Sequence, residues 1–169
     1  MTNEELTNRD VTEHGLMETG VMESGVMECG STNDELTDHE LLDQFERATL
    51  PLERFRHLDH VRVAFLYLYS LPTLEALQAF SKSLRRFASR HGKSKLYHET
   101  ITWAYIFLIR ERMARAGETQ TWEQFAKNNA DLLTWKGGAL TRFYRDETLK
   151  SDLARSIFVL PDNLVSDEP

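Results

Sequence analysis

A chain of 169 residues with 41% hydrophobic content can bury one core of ordinary size, and its single cysteine, Cys29, excludes a disulfide framework and a cysteine-based metal cluster. The net charge of −7 is uneven: residues 1 to 43 hold 12 of the 27 acids and only one of the 20 bases, Arg9, so an acidic tail precedes a mildly basic body. The longest apolar runs, Val63 to Leu68 and Trp103 to Ile109, fall far short of the roughly 20 residues that span a bilayer. The N-terminus shows no signal-peptide pattern, and the expectation is a soluble protein of the reducing cytoplasm.

The tail repeats itself. Gly15-Leu16-Met17-Glu18-Thr19, Gly20-Val21-Met22-Glu23-Ser24 and Gly25-Val26-Met27-Glu28-Cys29 are copies of one pentapeptide, bracketed by Thr2-Asn3-Glu4-Glu5-Leu6-Thr7 and Thr32-Asn33-Asp34-Glu35-Leu36-Thr37. A glycine at every fifth position costs a helix about 1 kcal/mol per copy relative to alanine, and so short a unit has nothing to stack. Residues 1–35 are therefore expected to be a disordered, low-complexity appendage, either a neutral expansion or a methionine segment offering Met17, Met22 and Met27 to a partner. Residues 163–169 are expected to be a disordered C-terminus.

Between them, 36–162 reads as a compact all-α bundle. Thr37 and Glu40 make a capping box for a first helix with Leu41, Leu42 and Phe45 on its apolar face, stopped by Pro51. The second helix runs from about Leu52 to Tyr69 and is apolar on nearly every side, which places it centrally. The third, capped by Thr73, repeats Leu74, Leu77, Phe80, Leu84, Phe87 and Ala88 at helical spacing and closes on His91-Gly92. The fourth, about Leu96 to Ala116, is the second central helix. Thr121 and Gln124 cap a short fifth, Gly137-Gly138 precedes Leu140, Phe143 and Tyr144, and Asp152 to Val159 adds a last helical turn or an extended piece before Pro161.

Two polar motifs interrupt the apolar helices: Phe55-Arg56-His57-Leu58-Asp59-His60 and Tyr97-His98-Glu99-Thr100-Ile101-Thr102. Polar groups in such places need partners, so these residues are the candidate site. At helical spacing His57 and His60 share a face with Ala64 a turn further on; His98 shares one with Thr102, and Glu99 points to a neighbouring surface. If the central helices pack side by side, the three imidazoles converge.

Three readings follow. His57, His60 and His98 hold zinc or another divalent first-row metal, with Glu99 as a further ligand or general base in a reaction on a small molecule. Without metal, a histidine backed by a carboxylate acts as base or binds a small-molecule ligand, while Arg62 or another arginine holds an anionic group. Or the polar residues cap helices and fix packing within a non-catalytic ligand-binding or protein-interaction module.

The other conspicuous residues say less. Trp103, Tyr105 and Phe107 suit a core, Trp122 and Trp135 a pocket mouth, and His91 a helix C-terminus. The arginines at 85, 86, 110, 112 and 115 occupy ordinary solvent-face positions and give no specific nucleic-acid signal.

With Phe55-x-His57-x-x-His60-Val61-Arg62 and Tyr97-His98-Glu99-Thr100-Ile101-Thr102-Trp103 in place, the chain resembles a family of small bacterial α-helical proteins that carry this pair of motifs. The likeness covers about residues 38 to 162 and leaves out the repeat. It implies a coherent helical domain and brings no known activity with it. A looser architectural likeness is to DinB-like bundles, which carry a three-histidine metal site at a different spacing.

Overall fold

The computed structural model describes residues 36–163, except 118, 136 and 137; the pentapeptide tail and residues 164–169 lie outside the described residues. All the described elements are helical: α1 Asp38–Glu46, α2 His57–Ser70, α3 Thr73–Arg90, α4 Glu99–Ala116, α5 Trp122–Asn128, α6 Asp146–Lys150 and α7 Asp152–Ser156, with short 3-10 turns between several of them.

α1 begins as its capping box predicts, with the Glu40 carboxylate accepting from the Thr37 N–H (3.0 Å) and Thr37 Oγ1 from the Glu40 N–H (3.3 Å). Leu41 and Phe45, one turn apart, are buried. The chain then turns through Ala48, in the left-handed region at φ 53°, which brings Leu50 into the core.

The second helix departs from the sequence expectation at its start. A 3-10 turn covers Leu52–Arg54, Phe55 leaves helical backbone at φ −102° and ψ 83°, and α2 begins only at His57. The break drops the Phe55 ring into a cluster with Phe45 and Phe87, both at 4.8 Å between ring centroids, and apolar burial outweighs one turn of helix. Asp59 closes the new first turn by accepting from the Arg56 N–H at 2.8 Å. Beyond it Val61, Val63, Ala64, Phe65, Tyr67 and Leu68 are buried, as a central helix requires.

α3 starts one residue from the expected cap: Pro72, already extended, holds the N-cap position and Thr73 is the first helical residue. Its end is as expected, with His91 as C-cap and Gly92 at φ 66°. The fourth helix is again split. Ser94–Leu96 form a 3-10 turn, Tyr97 and His98 are extended, and α4 runs from Glu99. The last described helices are α6, which the sequence does not signal, and α7, which ends at Ser156. From Ile157 the backbone is non-helical, as the extended alternative had it.

Long-range bonds tie these pieces down. Thr100, fully buried on α4, donates to the Ile157 carbonyl at 2.8 Å and accepts from the Val159 N–H at 3.0 Å. Tyr144 donates to the Val159 carbonyl at 3.0 Å. Asp162 returns to the start of α6, accepting from the Arg145 N–H at 3.0 Å and from the Thr148 hydroxyl. α2 packs against α1, α3, α4 and α5, and α4 against α2, α3 and α7. No helix among the described residues is long and apolar enough to cross a membrane.

Candidate functional site

α2, α3 and α4, with the turns that precede α2 and α4, line a cavity of about 690 Å³ that opens to solvent. His57, His60 and His98, the three histidines that the sequence singled out, all line it. Its deep wall is apolar and buried, with Val61, Ala64, Phe80, Phe87 and Ile109. Exposed Lys93, Leu96, Trp135 and Lys150 stand at its solvent side.

Each histidine is pinned by a backbone carbonyl, which fixes its tautomer because a carbonyl only accepts. His57, at the first position of α2, donates from Nε2 to the Leu132 carbonyl at 2.9 Å. That carbonyl lies on the 3-10 turn Ala130–Leu133, held in turn to α4 where Arg112 meets Asp131 at 3.0 Å and Asn129 at 2.9 Å. His60 donates from Nδ1 to the Arg56 carbonyl at 2.8 Å, and its ring lies 4.0 Å from that of Phe55. Among the described residues, Nδ1 of His57 and Nε2 of His60 make no hydrogen bond, which leaves each ring one lone pair for a ligand.

His98 is different. It is the N-cap of α4: Nδ1 accepts from the Ile101 N–H at 3.3 Å while Nε2 donates to the Leu149 carbonyl at 2.9 Å, so both nitrogens are occupied. Because it sits outside the helix it does not share a helical face with Thr102; instead the Thr102 hydroxyl donates to the His98 carbonyl at 2.7 Å.

All three rings are held towards the neutral form. Burial pushes His60 down to about 4, with nearby His57 adding to the effect and the Arg56 carbonyl and Asp59 opposing it. His57 is lowered by burial against the opposing bond to Leu132. His98 is lowered by burial and by Arg155, against the bond to Leu149.

The other candidates are engaged elsewhere. Glu99 forms an ion pair with Arg85, whose guanidinium lies 4.2 Å from the centre of the Tyr97 ring, and Glu99 does not line the cavity. Arg62 ties α2 to α1 through Asp38, at 2.6 Å from Nη2 and 2.7 Å from Nε. Of the two tryptophans expected at a pocket mouth, Trp135 stands at the cavity, 5.2 Å from the His57 ring, while Trp122 is buried beside Phe65 and Phe125. Tyr105 lines the cavity, 5.1 Å from His57. Three cations that the sequence left unremarked also line it, Lys93, Lys150 and Arg155, and among the described lining residues there is no carboxylate.

Metal binding makes a specific demand on this arrangement. His57 and His60, each with one nitrogen on a carbonyl and the other left over, resemble metal ligands with their usual outer partners. For His98 to join them it would have to release either the Ile101 N–H or the Leu149 carbonyl. Among the described residues no group of three or more His, Cys, Asp or Glu side chains is placed to hold a metal ion.

Fold and site thus define a class: an all-α protein whose central helices enclose an apolar, histidine-lined cavity. In comparisons with family models, curated proteins and solved structures, nothing matches this chain.

Proposed function

We propose that this protein binds a small, largely apolar molecule in the cavity between α2, α3 and α4, without a metal. The observation that carries this reading is the cavity itself. Its volume of about 690 Å³ lies within the range of ligand pockets, and apolar walls with a few fixed polar groups are the make-up of such sites. The polar groups are already oriented, since the carbonyls of Leu132 and Arg56 hold His57 and His60 as neutral rings with a free lone pair each. A ligand O–H or N–H would meet those acceptors without the cost of reorganising them.

A neutral fluorescent probe, N-phenyl-1-naphthylamine, tests the reading. The wild type is expected to bind it saturably, and Leu84→Trp, which places a larger side chain in the cavity wall, to weaken binding by about tenfold or more while the helical circular dichroism is retained. Absence of saturable binding, or equal binding by a folded Leu84→Trp variant, would overturn it.

The pinning of His57 and His60 supports a second reading, a metal held by those two rings with His98 displaced from its cap. It requires stoichiometric metal in protein purified without an affinity tag, and loss of that metal in a His57→Gln, His60→Asn variant. These replacements keep the carbonyl bonds of both side chains but remove the ligating nitrogens. Metal-free wild-type protein that still binds the probe would leave the first reading alone.

A further inference from the structure

The cations around the cavity narrow the chemistry of its occupant. Lys93 precedes the 3-10 turn Ser94–Leu96, Lys150 closes α6, and Arg155 lies on α7. Two bonds draw these segments into one corner: Arg155 donates to the Lys95 carbonyl at 3.1 Å, and His98 donates to the carbonyl of Leu149, the neighbour of Lys150. Lys150 is shared with Asp146. Lys93 and Arg155 have no carboxylate partner among the described residues, and no described carboxylate lines the cavity. The corner is also where α4 begins, capped by His98 and with Glu99 in its first turn. Val61, Phe80 and Ile109, which line the same cavity, are buried and apolar. The cavity therefore joins cationic side chains at its solvent side to a buried apolar lining.

Resting on the cavity reading above, we propose that the occupant is an amphipathic anion, a carboxylate or phosphate head on an apolar body, with the head at Lys93 and Arg155 and the body against Val61, Phe80 and Ile109. Uncompensated cations at the mouth favour an anion, and the guanidinium supplies paired donors that match either head group. The exposed rim keeps the head partly hydrated, so its desolvation cost is small, while the chain gains burial for each methylene.

Displacement of N-phenyl-1-naphthylamine by decanoate, decyl phosphate and decanol tests this. At least one anion is expected to displace the probe at about tenfold lower concentration than decanol, and the order of the two anions identifies the head group. In Lys93→Gln, Arg155→Gln protein this advantage is expected to fall to about threefold or less, with decanol binding unchanged as the check that the cavity is intact. Should the double variant not fold, Lys93→Gln alone, at an exposed side chain, is expected to show the same loss in part.

Decanol competing as well as both anions, or an anion advantage untouched by these variants, would overturn the inference and leave the cavity reading standing. If neither the probe nor decanol binds at all, the cavity reading falls and the anion inference with it.

Discussion

Replacing Thr100 with valine is expected to lower the unfolding free energy by about 2–3 kcal/mol, measured by urea denaturation at neutral pH. Valine matches threonine in shape, so the fully buried site on α4 stays filled, and what is lost is a donor and an acceptor used at once. The Ile157 carbonyl loses its donor and the Val159 N–H its acceptor. An unpaired polar group in a poorly hydrated place costs far more than a bond exchanged with water. Thr100→Ser keeps the hydroxyl and is expected to lose only about 1 kcal/mol, for the missing methyl. A loss below about 0.5 kcal/mol in the valine variant would mean that water takes over both bonds. The segment from Ile157 to Val159 also receives Tyr144, so its release would loosen the return of the chain past α6 and α7, which supply Leu149 and Arg155 to the cavity.

The second large effect is on pH. Stability is expected to fall by about 2 kcal/mol between pH 7 and pH 5 through His60 alone. Its folded value is depressed to about 4 from an ordinary 6.5, so the unfolded chain binds the proton first as the pH drops. The slope of unfolding free energy against pH is therefore positive in this window. The stability is present above about 6.5, is lost progressively below it, and the loss is complete only once the pH has fallen through about 4. His57 and His98 are displaced in the same direction and add to the slope. For His98 there is a visible cost, since a proton on Nδ1 ends its acceptance from the Ile101 N–H and uncaps α4.

His60→Asn is the control. The asparagine amide can replace Nδ1 as donor to the Arg56 carbonyl and does not titrate, so the difference between wild type and variant is expected to shrink by about 2 kcal/mol from pH 7 to pH 5. Parallel curves for the two proteins in that range would show that the imidazole is not held neutral by burial.

Much of the architecture is legible in the sequence because its signals act within one or two turns. The capping boxes at Thr37 and Thr121 are local, and both form. The stripe of Leu77, Phe80 and Phe87 and the all-round apolar faces of α2 and α4 needed no partner to be recognised. The starts of α2 and α4 were not legible, because helical periodicity runs on through Phe55 and Tyr97. What ends it at Phe55 is a place in the distant cluster with Phe45 and Phe87. α6 was hidden for a similar reason: Asp162, from beyond α7, supplies the bonds at its N-terminus.

By itself, then, the sequence determined that the protein is a helical bundle and that His57, His60 and His98 are polar residues needing partners in an apolar setting. Only the tertiary structure decided what each does. The Leu132 carbonyl that orients His57 lies 75 residues away, and the Leu149 carbonyl that occupies His98 lies 51 residues away. Every residue carries a backbone carbonyl, so no side-chain pattern announces which one will arrive. Glu99 was drawn off to Arg85, and Lys93 and Arg155 were brought to the cavity, by the packing of helices. Local periodicity shows that a side chain must be buried or paired; the chain's distant segments supply the partner.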